Sequence, residues 1–160
     1  MPRARKDKLR LVTYCGLHCD LCSQRGRIPL QSATLRDTMR KEGWELWGNT
    51  IPGFKEFWQF LGGMSDPAKS CPGCRQSGGP PFCGIRKCAR GKGLDLCIEC
   101  KEWPCDRIKG LAAGYVTLIP DSERLKRIGV DKWLKEQEAR AATGFCYCDV
   151  RCHPYTIPDK

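Results

Sequence analysis

Apolar residues in this chain recur at helical spacing in short bursts, separated by stretches rich in cysteine, glycine and proline. Phe54, Phe57, Trp58 and Leu61 fall at i, i+3, i+4 and i+7 within residues 53–61, ahead of Gly62-Gly63. That spacing predicts a short helix with one apolar face, and the glycine pair is expected to end it. The aromatic stripe reads as core rather than as a cofactor box. Residues 32–42 carry Ser32 as a cap, Leu35 and Met39 four apart, and Gly43 as a stop. Pro104 is placed to open a helix over 105–113, and Pro120-Asp121-Ser122 to start another. Asp131 should cap the last helix, with Val130, Trp133, Leu134, Gln137 and Ala141 on one face and Gly144 as terminator. Lys132–Glu136 and Glu136–Arg140 then stand at pairing distance along it. Residues 66–93 are expected to be irregular loop. Hairpins at the cysteine turns are compatible with the pattern, but no large sheet is expected.

The fold class expected is a small α-rich domain, α+β at most, scaffolded by metal. Its 160 residues suit one domain with appendages: a flexible basic tail at 1–10, a cysteine-rich metal-binding domain at 11–112, and a helical extension with a small cysteine cluster at 113–160. No apolar run is long enough for a signal peptide core or a membrane span, so a cytoplasmic location without membrane contact is expected. In that compartment close cysteines are more often ligands than disulfides, and an odd total of 13 leaves no complete intramolecular pairing.

A formal net charge of +10 points toward acidic partners less strongly than it first suggests. Five basic residues and Asp7 sit in the tail, and each four-thiolate site holding a doubly positive group removes two further charges. Two such sites leave about +6, a moderately basic protein.

The chemistry lies in the cysteines. Cys71-Pro-Gly-Cys74 and Cys97-Ile-Glu-Cys100 are two C-x2-C knuckles 22 residues apart, and Gly73 permits a tight approach to sulfur. Cys15, Cys19 and Cys22 form C-x3-C-x2-C, which suits a [4Fe–4S] cluster or zinc with a distant fourth ligand from Cys83, Cys88 or Cys105. Radical S-adenosylmethionine enzymes share this spacing, but their barrel needs a longer chain of alternating strand and helix. Cys83, Cys88 and Cys105 are read as further ligands; the alternative is one reactive thiol activated by Arg86, Lys87 and Arg90. Cys146, Cys148 and Cys152 with His153 could close a third site, whereas His18, squeezed between cysteines, reads as a spectator. Two to three metal sites, of zinc or a [4Fe–4S] cluster, are expected. No catalytic residue is assigned: the phosphate-cradling glycine loop and the H-E-x-x-H motif are both missing.

Tyr14-Cys15-Gly16-Leu17, Cys19, Cys22, Cys71, Cys74, Cys83, Ile85-Arg86-Lys87-Cys88-Ala89, Gly93, Cys97, Cys100 and Pro104-Cys105 together resemble a cysteine-rich family, the domain of unknown function DUF 3795, over roughly residues 12–112. Longer members add a segment similar to Gly129-Val-Asp-Lys-Trp133 and Gln137-Glu138, followed by C-P-x-C. Here Phe145-Cys-Tyr-Cys148 stands in its place. The resemblance implies metal binding, zinc by usual presumption, and brings no established activity. The expected function is therefore a metal-binding protein whose four-cysteine sites scaffold an interaction module for another protein. The alternative is an iron–sulfur protein carrying its cluster at Cys15/Cys19/Cys22 for electron transfer or redox sensing. Nucleic-acid binding through Arg86, Lys87, Arg90 and Lys92 is a weaker third.

Overall fold

The computed structural model describes residues 3–151. Eight α-helices run among them: α1 (Arg3–Lys8), α2 (Arg27–Lys41), α3 (Trp44–Trp47), α4 (Phe54–Ser65), α5 (Gly84–Gly91), α6 (Asp106–Gly114), α7 (Leu118–Ile128) and α8 (Val130–Ala142). Short 3-10 turns join several of them. The described residues hold no sheet, only isolated bridges between Val12 and His18 and between Tyr115 and Arg151. No described helix is long and apolar enough to cross a membrane. The expectation of a helix-rich fold holds.

The described residues divide into two compact units, Ser23–Cys71 and the rest of the described residues. In the Ser23–Cys71 unit, α2 packs on α4 around Met39, Phe54 and Leu61, with Trp44 and Trp58 alongside. The Phe54 ring stacks against Trp44 at 5.9 Å and Trp58 at 5.6 Å. A Cβ on Gly48 would fall 2.6 Å from that ring, so the position has to stay bare. Two boundaries differ from expectation. α2 begins at Arg27, before Ser32, because Pro29 sits in its first turn, where a missing N–H costs nothing. α4 runs through Gly62-Gly63 to Ser65. Gly62 serves close packing there: a Cβ would lie 3.3 Å from the Arg36 guanidinium carbon, and Arg36 stacks over Trp58 at 5.1 Å.

In the other unit, Leu9, Val12, Leu96, Ile98, Leu125 and Trp133 form one buried cluster, flanked by Trp103, Ile128, Val130 and Leu134. The basic N-terminal segment is helical over Arg3–Lys8; Leu9 after it is buried, Lys8 Nζ meets Asp131 at 2.7 Å, and Arg5 pairs with Glu99. α7 and α8 meet at Gly129 (φ +81°). Glu136 pairs across to Arg124 on α7, and Arg140 reaches Asp121 at 2.8 Å, so these charges bridge two helices rather than run along one. The stretch expected to be irregular contains α5, which starts directly after Cys83.

Candidate metal centre

Four cysteines reach one small cavity from three different elements. Cys88 comes from α5, Cys97 opens the 3-10 turn Cys97–Glu99 and Cys100 follows it, and Cys105 is the N-cap residue of α6. With Ala89, Leu94 and Ile108 they line a cavity of about 30 Å³, room for one or two atoms rather than for a substrate. Cys100 N–H donates to Cys97 O at 3.0 Å and closes the knuckle; Cys97 N–H donates to Tyr14 O at 2.7 Å. The second bond ties this turn to the chain next to Cys15. The Trp103–Pro104 peptide bond ahead of Cys105 is cis. Among the described residues no three cysteine, histidine or carboxylate side chains close around a single point. The four residues border a shared space instead.

Electrostatics join this group to a second one. Burial pushes the Cys97 thiol up to about 12, and the sulfurs of Cys15, Cys105, Cys88 and Cys100 push the same way. Cys15 is pushed up to about 11, first by burial; hydrogen bonds from Thr13 and Leu17 oppose the rise, and Cys74 and Cys83 add to it. Without a cation beside them, Cys15 and Cys97 therefore keep their protons. A divalent cation reverses that balance, because it favours the thiolates and displaces the protons. An all-sulfur donor set suits zinc or iron rather than magnesium or calcium. The residues present thus fit a soft ion. Lys92 at the end of α5 adds compensation, with Nζ 3.7 Å from Cys100 Sγ and 2.7 Å from Glu102.

The remaining predicted residues are distributed as follows. Cys19 and Cys22 bracket a 3-10 turn through Cys22 N–H to Cys19 O at 3.0 Å. A Cβ on Gly73 would stand 3.4 Å from Cys19 Sγ, an ordinary contact, so it is the backbone (φ +102°) rather than space that calls for glycine here. Cys71 ends the Ser23–Cys71 unit, where its carbonyl accepts from Arg25 at 2.7 Å. Cys83 caps α5 by accepting from Arg86 N–H at 3.5 Å. Cys146 and Cys148 lie with sulfurs 3.3 Å apart on the turn Tyr147–Asp149. Cys152 and His153 lie outside the described residues. His18 is buried and its ring meets Trp133 edge to face at 6.0 Å, while its backbone N–H donates to the Tyr147 hydroxyl at 2.9 Å. Burial raises the Tyr147 phenol, against the pull of that bond.

Two arginines near the cysteines act as internal braces, a role that composition alone did not reveal. Arg86 is buried and donates to Gly78 O at 2.5 Å and Pro80 O at 2.8 Å. Arg75 donates to Val12 O at 2.7 Å and Asp95 O at 2.5 Å and stacks over Tyr14 at 4.5 Å. Arg90 lies over the same Tyr14 ring at 5.6 Å. The only sequence hint was the glycine- and proline-rich run 72–83, whose backbone carbonyls have few N–H partners in regular structure.

Against known proteins, the family model described as a protein of unknown function (DUF3795) matches residues 11–110. No curated protein and no solved structure matches the chain.

Proposed function

This chain belongs to the DUF3795 family, and we propose that it is a cytoplasmic metal-binding protein in which Cys88, Cys97, Cys100 and Cys105 hold one zinc ion. The helices and turns they join would form an interaction module for another protein. One observation carries this reading: four thiols from α5, a knuckle turn and the start of α6 border a cavity of atomic size. When bound, zinc supplies folding free energy, on the order of 10 kcal/mol for a structural site. Four protein sulfurs leave no position open for substrate, so the role is scaffolding rather than Lewis-acid catalysis. Lys92 offsets part of the excess negative charge of four thiolates beside Cys100. The electrostatic coupling of Cys15 with Cys74 and Cys83 supports a second thiolate site, completed by a further cysteine.

Metal analysis of anaerobically purified protein, with a visible spectrum, tests the proposal. The expected result is colourless protein with at least one zinc per chain, falling by one equivalent in a Cys97→Ser/Cys100→Ser variant. Brown protein containing iron and acid-labile sulfide would replace zinc scaffolding with the electron-transfer or redox-sensing alternative. Metal-free protein that stays folded would remove both.

A further inference from the structure

Cys100 and Trp103 face two spaces. Beyond the cysteine cavity they line a groove of about 630 Å³, within the range of small-molecule sites. Its apolar surface comes from Ile98, Trp103, Leu125 and Val130. Its polar groups are mostly cationic. Glu99 is the one acidic lining residue, and it is already paired with Arg5. Lys101 and Lys126 are exposed on the rim and make no ion pair among the described residues. The N-terminus of α8 opens at the same place: Gly129 and Val130 line the groove, and no side chain caps the helix. Its first backbone bond is Trp133 N–H to Gly129 O, so the preceding N–H groups add positive potential at the rim. The indole N–H of Trp103 is buried and has no acceptor among the described residues.

We propose that this groove binds a small organic anion with an apolar, ring-sized body. The apolar walls would take the body, while Lys101, Lys126 and the α8 terminus would take the anionic head. Nothing in the arrangement depends on which ion the cysteines hold.

The test uses the full chain as purified and two fluorescent probes with the same rings. One is 1-anilinonaphthalene-8-sulfonate; the other is N-phenyl-1-naphthylamine, which lacks the sulfonate. Lys101→Glu/Lys126→Glu reverses two exposed charges without touching the core. It should weaken the sulfonate by about tenfold or more while leaving the neutral probe within about twofold. Added salt should weaken sulfonate binding to wild type and leave the neutral probe unaffected. Equal affinities of wild type and variant for the sulfonate would overturn the proposal, as would equal loss for both probes. Phe60→Ser removes an exposed aromatic from the other unit and should change nothing. If it abolishes the charge-dependent binding instead, the groove is not the site.

Discussion

Gly16→Ala is expected to cost about 2–4 kcal/mol, from two separable sources. Gly16 has φ +105°, a conformation that costs an L-residue roughly 1–2 kcal/mol. A Cβ there would also stand 2.3 Å from Ser122 Oγ, although 3.5 Å from Ser122 Cβ. Only the hydroxyl must move. Ser122 is 1% exposed and its hydroxyl faces Cys15 O at 3.5 Å, so displacing it strands a buried polar group at about 1–2 kcal/mol. Gly16→Ala/Ser122→Ala removes that second source and should be about 1 kcal/mol more stable than Gly16→Ala alone. Urea unfolding followed by far-ultraviolet circular dichroism, at fixed zinc and with equal slopes, measures both differences. Gly16→Ala within about 0.5 kcal/mol of wild type would refute the strain argument. A double variant no more stable than the single one would refute the assignment to Ser122.

Other perturbations probe the braces, the helix pair and the cysteines. Arg86→Ala should lose about 2–4 kcal/mol by stranding the carbonyls of Gly78 and Pro80. Arg86→Lys should not recover it, because an ammonium lacks the planar fork; wild-type urea midpoints for the lysine variant would contradict this. The Arg124 guanidinium holds the Glu136 carboxyl below its usual range. Its contribution is therefore present above the unfolded value near 4.3 and lost as pH falls through the lower folded value. The melting-temperature gap between wild type and Arg124→Ala should accordingly be constant above about pH 5 and shrink on acidification; a gap that widens in acid would refute the pairing. Cys105→Ser should lose one zinc equivalent and become more easily cleaved by protease between residues 84 and 105. Full zinc content by metal analysis would exclude Cys105 as a ligand.

Legibility in the sequence followed the physics of each segment. The stripe Phe54, Trp58 and Leu61 declared its helix because apolar burial has a period, and the helix formed with Phe54 and Leu61 inside. Its end was misread because glycine has two uses: Gly62 makes room for Arg36, and that packing outweighs the conformational cost. α5 was hidden for the opposite reason. Its eight residues, Gly84-Ile-Arg-Lys-Cys-Ala-Arg-Gly91, carry only a short apolar stripe of Ile85, Cys88 and Ala89 between two glycines, and Arg86 is its buried long side chain. The cysteine inventory was readable, but its grouping was not, since spacing leaves open which distant knuckle faces which helix end. Long-range chain contacts set which segments are neighbours: Cys97 N–H to Tyr14 O joins segments more than 80 residues apart, and no periodicity encodes it. Nor does spacing tell how neighbouring arginines are used: Arg86 is buried and grips backbone carbonyls, whereas Arg90 is exposed and lies over Tyr14.

Hydrocarbon and sulfur divide the larger unit between them. The buried cluster takes Leu9 and Val12 from the N-terminal segment, Leu96 and Ile98 from the knuckle, and Leu125 and Trp133 from α7 and α8. Two of those segments lead directly into cysteines, Val12 toward Cys15 and Leu96 into Cys97, so packing alone sets where those thiols begin. Residues 72–83 contribute no buried apolar side chain, and only Gly73 and Gly78 are buried there. The contacts that tie them down include the hydrogen bonds of Arg75 and Arg86. Such a segment cannot offset its conformational entropy, on the order of 1–2 kcal/mol per residue, by apolar burial. Hydrogen bonds to two arginines recover only part of that cost, at about 1 kcal/mol each. A ligated ion would be a contribution of the right size, on the order of 10 kcal/mol for a structural site, and the proposed thiolate sites would put it at the cysteines that border this loop.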